Sequence, residues 1–350
     1  MPKIAIIGTT SFGITLGTVL ARNGTKVNLW ARTEQEAIEL AETGPGSNLS
    51  NGDSFPSGLT ITSSLNEAMS MAQAVLLVVP SQTMRQNMKL VSKHIGKSML
   101  IVSASKGMET HTGKRMSRVI SEEISADFRS NICVLSGPNL APEILDGLPA
   151  ASVAAAEDAV IARKAQKLLT APNFCIFTNR DVIGVELGGS LKNIIALGAG
   201  IIDGLGYGDN AKAALITRGL TEMTALGVAL GADAITFAGL AGLGDLIATC
   251  ASPLSRNHYV GVELAKSRRL KDITASMTGV AEGVTTTLAV REIAQQMGLE
   301  MPITETMYRV LYEGADLRQA ATELMQAEAA HELAGRKWKL FSAVKAGRRG

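Results

Sequence analysis

The beginning of the chain places the tightest constraint on its fold. An apolar run, 3–7, leads directly into the turn Gly8-Thr9-Thr10-Ser11-Phe12-Gly13, and a helical pattern follows. This order of strand, glycine turn and helix is typical of sequences that bind the pyrophosphate of a dinucleotide at a helix N-terminus. Thr10 stands where the middle glycine is usual, so we expect its Cβ to hold the backbone slightly away from the phosphates. A plain strand–turn–helix is the alternative.

Alternation of strands and helices continues through the first half of the chain. Apolar runs predict further strands at 26–30, 59–62, 74–79, 99–103 and 132–135, and a final β-like pair at 151–155 and 173–178. Helical stretches are predicted at 14–22, 34–42, 65–71, 83–94 and 114–124. Continuously apolar strands indicate burial on both faces of a mostly parallel sheet. The first half is therefore predicted to be a doubly wound, Rossmann-type α/β sheet that binds ligands at its carboxyl edge.

Helical patterns replace strands after Asn179. They are predicted at 181–202, 210–230, 256–266, 282–297, 302–313 and 315–328. We divide the chain into a dinucleotide-binding domain at 1–179, an all-α domain with the substrate and catalytic residues at 180–335, and a basic tail at 336–350. The tail and the turn-rich loop at 44–58 are expected to be solvated.

Composition excludes several classes of protein. Lys and Arg number 34 against 32 Asp and Glu, a net charge of +2, which is too small for a general nucleic-acid binder. No stretch offers the roughly 20 clean apolar residues of a membrane span. The three cysteines are scattered and no signal sequence is apparent, so a reducing, cytoplasmic location is expected. The four histidines lack metal-binding spacings, so no metal is expected.

The second predicted strand ends near Arg32. No Asp or Glu stands where such an acid usually holds the ribose of NAD. The Arg32 guanidinium could instead meet the 2′-phosphate of NADP, which favours NADPH or the use of both cofactors. A solvated arginine at the start of a helix is the alternative.

Lys192 is the only charged residue between positions 187 and 202, on a helix that otherwise has the pattern of a core helix. A buried ammonium is costly unless it is paired, which makes this lysine a functional candidate. A lysine extending from a helix edge to solvent is the alternative. Gly188 and Gly189, one turn earlier, are expected to make room for a ligand. Asp245 is expected to pair with Lys192.

Four further segments are predicted to complete a pocket. Ser255 has the character of a helix N-cap, and an arginine directly after it would create an anion site. Glu282 is a lone acid between glycines, suited to holding an amide or a hydroxyl. The segments are Ser105-Lys106-Gly107, Ser136-Gly137-Pro138-Asn139, Ser255-Arg256-Asn257 and Gly279-Val280-Ala281-Glu282-Gly283.

These motifs together resemble the bacterial NAD(P)-dependent glycerol-3-phosphate dehydrogenases over about residues 3–330. The resemblance rests on GTTSFG at 8–13, VVPS at 78–81, SASKG at 103–107, LSGPNLAPEI at 135–144, the block ELGGSLKNIIALGAGIIDGLGYGDNAKAALITRGLTEM at 186–223, AGLGDL at 241–246, SRN at 255–257 and MPITE at 301–305. It implies reduction of dihydroxyacetone phosphate to sn-glycerol 3-phosphate for phospholipid synthesis. It also implies NADP(H) or NAD(H) as cofactor, with NADPH favoured. A homodimer is a candidate assembly.

The resemblance also assigns roles to residues. It implies that Lys192 is the catalytic acid/base. Around the substrate it places Lys106, Gly137, Asn139, Lys192, Asp245, Ser255, Arg256 and Asn257. Around the cofactor it places Ser11, Phe12, Arg32, Lys106, Ala141, Arg256, Val280 and Glu282, beside Gly8 and Gly13 of the glycine turn. Asn139 stands where the family usually has a hydroxyl residue.

Two alternatives stay open. One is a dehydrogenase of the same layout that acts on a 3-hydroxyacyl or 6-phosphogluconate substrate. The other is a non-catalytic dinucleotide sensor, against which the joint presence of Lys192 and Asp245 argues.

Overall fold

The computed structural model describes residues 2–46 and 54–326, and an eight-stranded sheet organises the first half. Its strands are β1 (Lys3–Ile7), β2 (Lys26–Trp30), β3 (Leu59–Thr62), β4 (Ala74–Leu77), β5 (Leu100–Ser103), β6 (Ile132–Ser136), β7 (Ala150–Ala155) and β8 (Phe174–Asn179). They lie in the order β3-β2-β1-β4-β5-β6-β7-β8. All neighbours are parallel except β6 and β7. The predicted mostly parallel sheet is confirmed.

Helices cover both faces of this sheet. They are α1 (Ser11–Arg22), α2 (Glu34–Thr43), α3 (Leu65–Met69), α4 (Met84–Val91), α5 (Met116–Glu123), α6 (Ala141–Leu145) and α7 (Ala159–Leu169). Neighbouring strand residues point to opposite faces. Ile6 therefore packs in one core with Leu16 of α1, whereas Ile7 packs in another with Met84 of α4. The arrangement is doubly wound, as predicted.

The second half is helical and surrounds one long central helix. Its helices are α8 (Val182–Leu205), α9 (Gly208–Ala229), α10 (Asp245–Ala251), α11 (Arg256–Ala265), α12 (Leu270–Ser276), α13 (Glu282–Gln296), α14 (Pro302–Tyr312) and α15 (Leu317–Gln326). Helix α8 packs against α9, α10, α11, α13 and α14. Within the described ranges it is the one helix long and apolar enough to cross a membrane, and its apolar stretch is wholly buried inside the protein.

Each predicted strand is present, with ends within two residues of the prediction. Helices α6, α7, α10 and α12 were not predicted. Helix α7 is required because β7 and β8 are parallel, and a parallel pair needs a crossover. The predictions for 47–53, for the end of the helix at 315–328 and for the basic tail at 336–350 fall outside the described residues. The domain division at 179 and 180 stays a prediction.

Candidate active site

A cleft of about 840 Å³ lies at the carboxyl edge of the sheet and faces the helical half of the chain. It brings together most of the predicted site residues: Gly8, Ser11, Phe12, Arg32, Lys106, Asn139, Ala141, Lys192, Ser255, Arg256, Asn257, Val280 and Glu282. Gly13, Gly137 and Asp245 do not line it, but each contacts a residue that does. Across residues 2–46 and 54–326, no group of three or more His, Cys, Asp or Glu is arranged to hold a metal ion.

The glycine turn has the backbone geometry that its sequence predicts. Gly8 has a φ of +114°, and a Cβ there would lie 2.5 Å from the carbonyl oxygen of Val78. A Cβ on Gly13 would lie 2.3 Å from the carbonyl oxygen of Gly8. Side chains at either position would push the turn away from the sheet, so both glycines allow α1 to begin close to the end of β1.

Thr10 is the N-cap of α1. Its backbone is extended, with φ −66°, so this position does not require glycine. The Thr10 hydroxyl accepts a hydrogen bond from the backbone N–H of Gly13 at 3.1 Å and donates one to the carbonyl of Val78 at 2.9 Å. The threonine therefore stabilises the helix start and ties it to the end of β4.

A second helix start faces the same turn. Ser255 caps α11, as predicted, because its Oγ accepts a hydrogen bond from the His258 N–H at 3.2 Å. In the first turn of α11, the Arg256 Nη2 donates to the Ser11 Oγ at 2.9 Å. The guanidinium thus lies at the N-terminus of α1, where anions are favoured by both the cation and the helix dipole.

Arg32 borders the cleft at the end of β2. Its guanidinium carbon lies 5.6 Å from the centre of the Trp30 ring, and its Nη2 donates to the Asn87 Oδ1 at 2.8 Å. These contacts hold an exposed cation on the cleft wall rather than leaving it free in solvent.

No Asp or Glu directly follows β2 in the sequence, but the fold brings an acid from α2 to this place. Glu36, in the first turn of α2, also lines the cleft. Its Oε2 accepts the backbone N–H of Arg32 at 2.8 Å, and its Oε1 accepts the hydroxyl of Thr9. A carboxylate therefore joins the end of β2 to the glycine turn.

At the bottom of the cleft Lys192 forms the predicted pair with Asp245, which lies beneath the lining residues. Lys192 is 6% exposed and Asp245 is 1% exposed. The Lys192 ammonium donates hydrogen bonds to the Asp245 Oδ1 and the Thr249 hydroxyl oxygen. Because Lys192 is buried and paired, the alternative of a lysine extending to solvent is wrong.

Asp245 also binds a second lysine. The Lys106 Nζ donates to the Asp245 Oδ2 at 2.6 Å and to the carbonyl oxygen of Gly137 at 2.7 Å. Burial lowers the pKa of Lys106 to about 8; the Asp245 charge opposes this shift and the Lys192 charge adds to it. One carboxylate thus links a lysine that follows β5 to a lysine in the centre of α8.

Thr249 is a site residue that the sequence analysis missed. It lies one turn after Asp245 on α10, so both side chains share one helix face. Its hydroxyl donates to the Asp245 carbonyl at 2.6 Å and accepts from Lys192. The four-residue spacing is the only sequence signal that could have pointed to it.

Asn139 carries an unused acceptor at the cleft. Its Nδ2 donates to the Ser152 Oγ at 3.1 Å, whereas its Oδ1 is buried without a hydrogen-bond partner. Buried polar atoms are nearly always paired, so an unpaired acceptor on a cleft wall indicates a place for a ligand donor.

Asn257 connects three helices below the cleft. Its Oδ1 accepts the Gly283 N–H at 2.9 Å, and its Nδ2 donates to the Asn193 Oδ1 at 2.9 Å. The amide therefore fixes the relative positions of α11, α13 and α8, with one N–H left for other contacts.

Glu282 ties the start of α13 to the sheet. It accepts the backbone N–H of Ser81 at 2.8 Å and the Ser81 hydroxyl. Burial raises the pKa of Glu282, and the hydrogen bonds from Ser81 oppose that shift. The acid is held by the protein itself, while the neighbouring Val280 is 46% exposed at the cleft rim.

The expectation that Gly188 and Gly189 make room for a ligand is wrong. A Cβ on Gly188 would lie 2.4 Å from the carbonyl oxygen of Ala241, and one on Gly189 would lie 2.3 Å from the Ser136 Oγ. Protein atoms already occupy the space, so these glycines let α8 pack closely against the Ala241 backbone and the end of β6.

A cleft in which a dinucleotide turn and a buried amine face each other defines the class: this is a dinucleotide-dependent oxidoreductase of the doubly wound α/β type. Family models described as NAD-dependent glycerol-3-phosphate dehydrogenase N-terminus and C-terminus match residues 3–162 and 181–322. The chain belongs to the NAD-dependent glycerol-3-phosphate dehydrogenase family.

Relatives and solved structures agree with this assignment. A glycerol-3-phosphate dehydrogenase [NAD(P)+] from Dehalococcoides mccartyi is 64% identical over 97% of this chain and 95% of its own. A protein of the same name from Chlorobium limicola is 45% identical over 94% of this chain and 99% of its own. The crystal structure of glycerol-3-phosphate dehydrogenase from Coxiella burnetii has a TM-score of 0.87 at 36% identity and covers 93% and 99% of the two chains.

Proposed function

We infer that this chain reduces dihydroxyacetone phosphate to sn-glycerol 3-phosphate with a nicotinamide dinucleotide, supplying glycerophospholipid synthesis. The observation that carries the inference is the Lys192 ammonium, buried on Asp245 and facing the dinucleotide cleft. Reduction of a ketone creates an alkoxide that needs a proton, and a positioned ammonium is a suitable donor.

The residues of the cleft fit a dinucleotide. The glycine turn, Ser11 and Arg256 suit its phosphates, and the unpaired Asn139 Oδ1 suits an amide donor. When bound, the nicotinamide supplies the hydride. Lys192 then transfers one proton to the developing alkoxide oxygen and becomes a neutral amine, which solvent reprotonates. Asp245 and Thr249 orient the ammonium, and Lys106 supplies a second N–H donor.

A coupled assay separates this proposal from its alternatives. Purified protein should oxidise NADPH when dihydroxyacetone phosphate is added, with sn-glycerol 3-phosphate formed in equal amount. Turnover with a 3-hydroxyacyl or 6-phosphogluconate substrate instead would indicate another dehydrogenase. NADPH binding without turnover of any of these compounds would indicate a sensor.

Arg256 is proposed to hold the substrate phosphate as well as the cofactor. Replacing Arg256 with Ala should raise the KM for dihydroxyacetone phosphate at least tenfold, because a charge-assisted hydrogen bond contributes about 1.5–3 kcal/mol. The KM for a phosphate-free ketone should rise less. Arg269→Ala, which removes an exposed ion pair with Asp272, is the matched control and should change neither value. Equal increases in KM for both ketones would mean that Arg256 binds the cofactor or stabilises the fold and does not hold the substrate phosphate.

NADPH is proposed to be used at least as well as NADH because Arg32 is fixed on the cleft wall. Replacing Arg32 with Ala should shift the ratio of kcat/KM values about tenfold toward NADH, since a cation facing the 2′-phosphate is lost. Both cofactors are measured with both proteins at one ionic strength. An unchanged ratio of the kcat/KM values for NADPH and NADH would mean that Arg32 does not contact the 2′-phosphate.

The remaining proposals concern the setting of the enzyme. We propose a cytoplasmic location, since the three cysteines are scattered without a pairing pattern, as expected of a reducing compartment. A homodimer is proposed because β8 is an edge strand on which Phe177 is 51% exposed. Light scattering after size exclusion should then give twice the chain mass of 36.7 kDa.

A further inference from the structure

Glu36 makes contacts that its place in α2 does not require. Thr33 is the N-cap of α2, and its hydroxyl accepts the Glu36 N–H at 3.1 Å. A glutamate at this position commonly reaches back to the N-cap backbone. Here the carboxylate reaches further, to the Arg32 N–H at 2.8 Å and to the Thr9 hydroxyl of the glycine turn. Helix capping alone does not account for the contact with Thr9.

These contacts place an anion where dinucleotide enzymes distinguish their cofactors. In doubly wound sheets, an acid at the end of the second strand binds the ribose hydroxyls of NAD and opposes the 2′-phosphate of NADP. The Glu36 carboxylate is held beside the end of β2 by its hydrogen bond with the Arg32 N–H, and it borders the cleft. Each carboxylate oxygen accepts one protein hydrogen bond and keeps a further acceptor site for a ribose hydroxyl.

We propose that Glu36 is a specificity-determining residue that binds the adenosine ribose of NADH and opposes the effect of Arg32. The two side chains line the same wall of the cleft with opposite charges. Arg32 favours a 2′-phosphate and Glu36 disfavours it, so the chain accepts both cofactors. Thr9 is a positioning residue, because its hydroxyl directs the carboxylate toward the turn. This inference deepens the proposed function and depends on it.

The test is the Glu36→Gln variant, which keeps an acceptor for the Arg32 N–H and removes the charge. The Kd for NADPH, measured by fluorescence titration, should fall about fivefold, and the Kd for NADH should rise about threefold. The ratio of kcat/KM values should move in the same direction. The change in the NADPH affinity should shrink at high salt, because salt screens the repulsion between the Glu36 carboxylate and the 2′-phosphate of NADPH.

Glu34→Gln is the matched control. Glu34 lies in the same turn of α2, and its carboxylate accepts the Ser63 hydroxyl outside the cleft. If Glu36 merely stabilises α2, both variants should lower the Tm alike and leave both Kd values unchanged. That result would overturn the proposal, as would a shift of Glu36→Gln toward NADH.

Failure of the proposed function gives a different pattern. If dihydroxyacetone phosphate is not the substrate, the wild type shows no turnover with it, yet the Kd values still report on Glu36. If the reaction is confirmed and the Kd ratio does not move, the role of Glu36 alone is wrong.

Discussion

Replacing Lys192 with Ala should lower kcat by about 10²–10⁴-fold, the range over which general acid–base groups contribute. The variant should still fold, because Asp245 keeps its hydrogen bond from Lys106. Its Kd for NADPH should stay within about threefold of the wild-type value. Steady-state kinetics and fluorescence titration measure the two quantities on the same preparation.

Lys212→Ala is a suitable control for Lys192→Ala. Lys212 lies on α9, pairs with Asp203 at 2.9 Å and does not line the cleft. Its removal should leave kcat unchanged. Turnover by Lys192→Ala within a few-fold of the wild type would exclude Lys192 as the proton donor.

Replacing Asp245 with Asn should destabilise the protein and impair turnover together. Asp245 is the anion between two lysines, so a neutral amide leaves two cations facing each other in a buried site. Removing one partner of a buried ion pair costs about 3–5 kcal/mol. Since Lys106 is 17% exposed, we expect about 3 kcal/mol, measured by urea unfolding. We also expect kcat to fall at least tenfold because Lys192 loses its orienting partner.

The loss of stability in Asp245→Asn should depend on pH in a defined direction. In the wild type the pKa of Lys106 is lowered to about 8, below its ordinary value of 10.5, and Asp245 opposes that lowering. Without Asp245 the pKa of Lys106 falls further. The folded state then releases a proton that the unfolded state keeps, so stability rises with pH. The free energy of unfolding that Asp245→Asn loses relative to the wild type should be larger at pH 6 than at pH 9. Asp209→Asn, which changes an exposed residue, should lose no stability at either pH. An equal loss of stability by Asp245→Asn at both pH values would contradict the explanation from charge.

Local patterns predicted the sheet and the centre of the site. The inner strands β1, β4, β5 and β6 are buried on both faces and continuously apolar, so hydrophobicity alone located them, whereas the edge strands β3 and β8 expose part of their residues. Lys192 stood out for the related reason that a charge in an apolar helix needs a partner. The pairing with Asp245, 53 positions later, followed from charge balance rather than from spacing, and the structure confirms it.

The features that sequence reasoning missed depend on tertiary contacts. Glu36 belongs to the first turn of α2 and meets Thr9 only because β1 and β2 are neighbours in the sheet. Gly188 and Gly189 were misinterpreted because a missing side chain can admit a ligand or another segment of the same protein. Distances to Ala241 and Ser136 decide between these two roles, and the sequence does not contain them.

The separation along the chain of the groups that meet in the cleft has a consequence for biosynthesis. Lys106 and Asp245 are 139 positions apart, Ser81 and Glu282 are 201 apart, and Ser11 and Arg256 are 245 apart. Domains generally fold in order of their emergence during translation. The sheet can therefore form on the ribosome while the site is still incomplete. A nascent or truncated chain that ends before α10 has the glycine turn but neither Asp245 nor Arg256, so catalytic competence arises only late in synthesis.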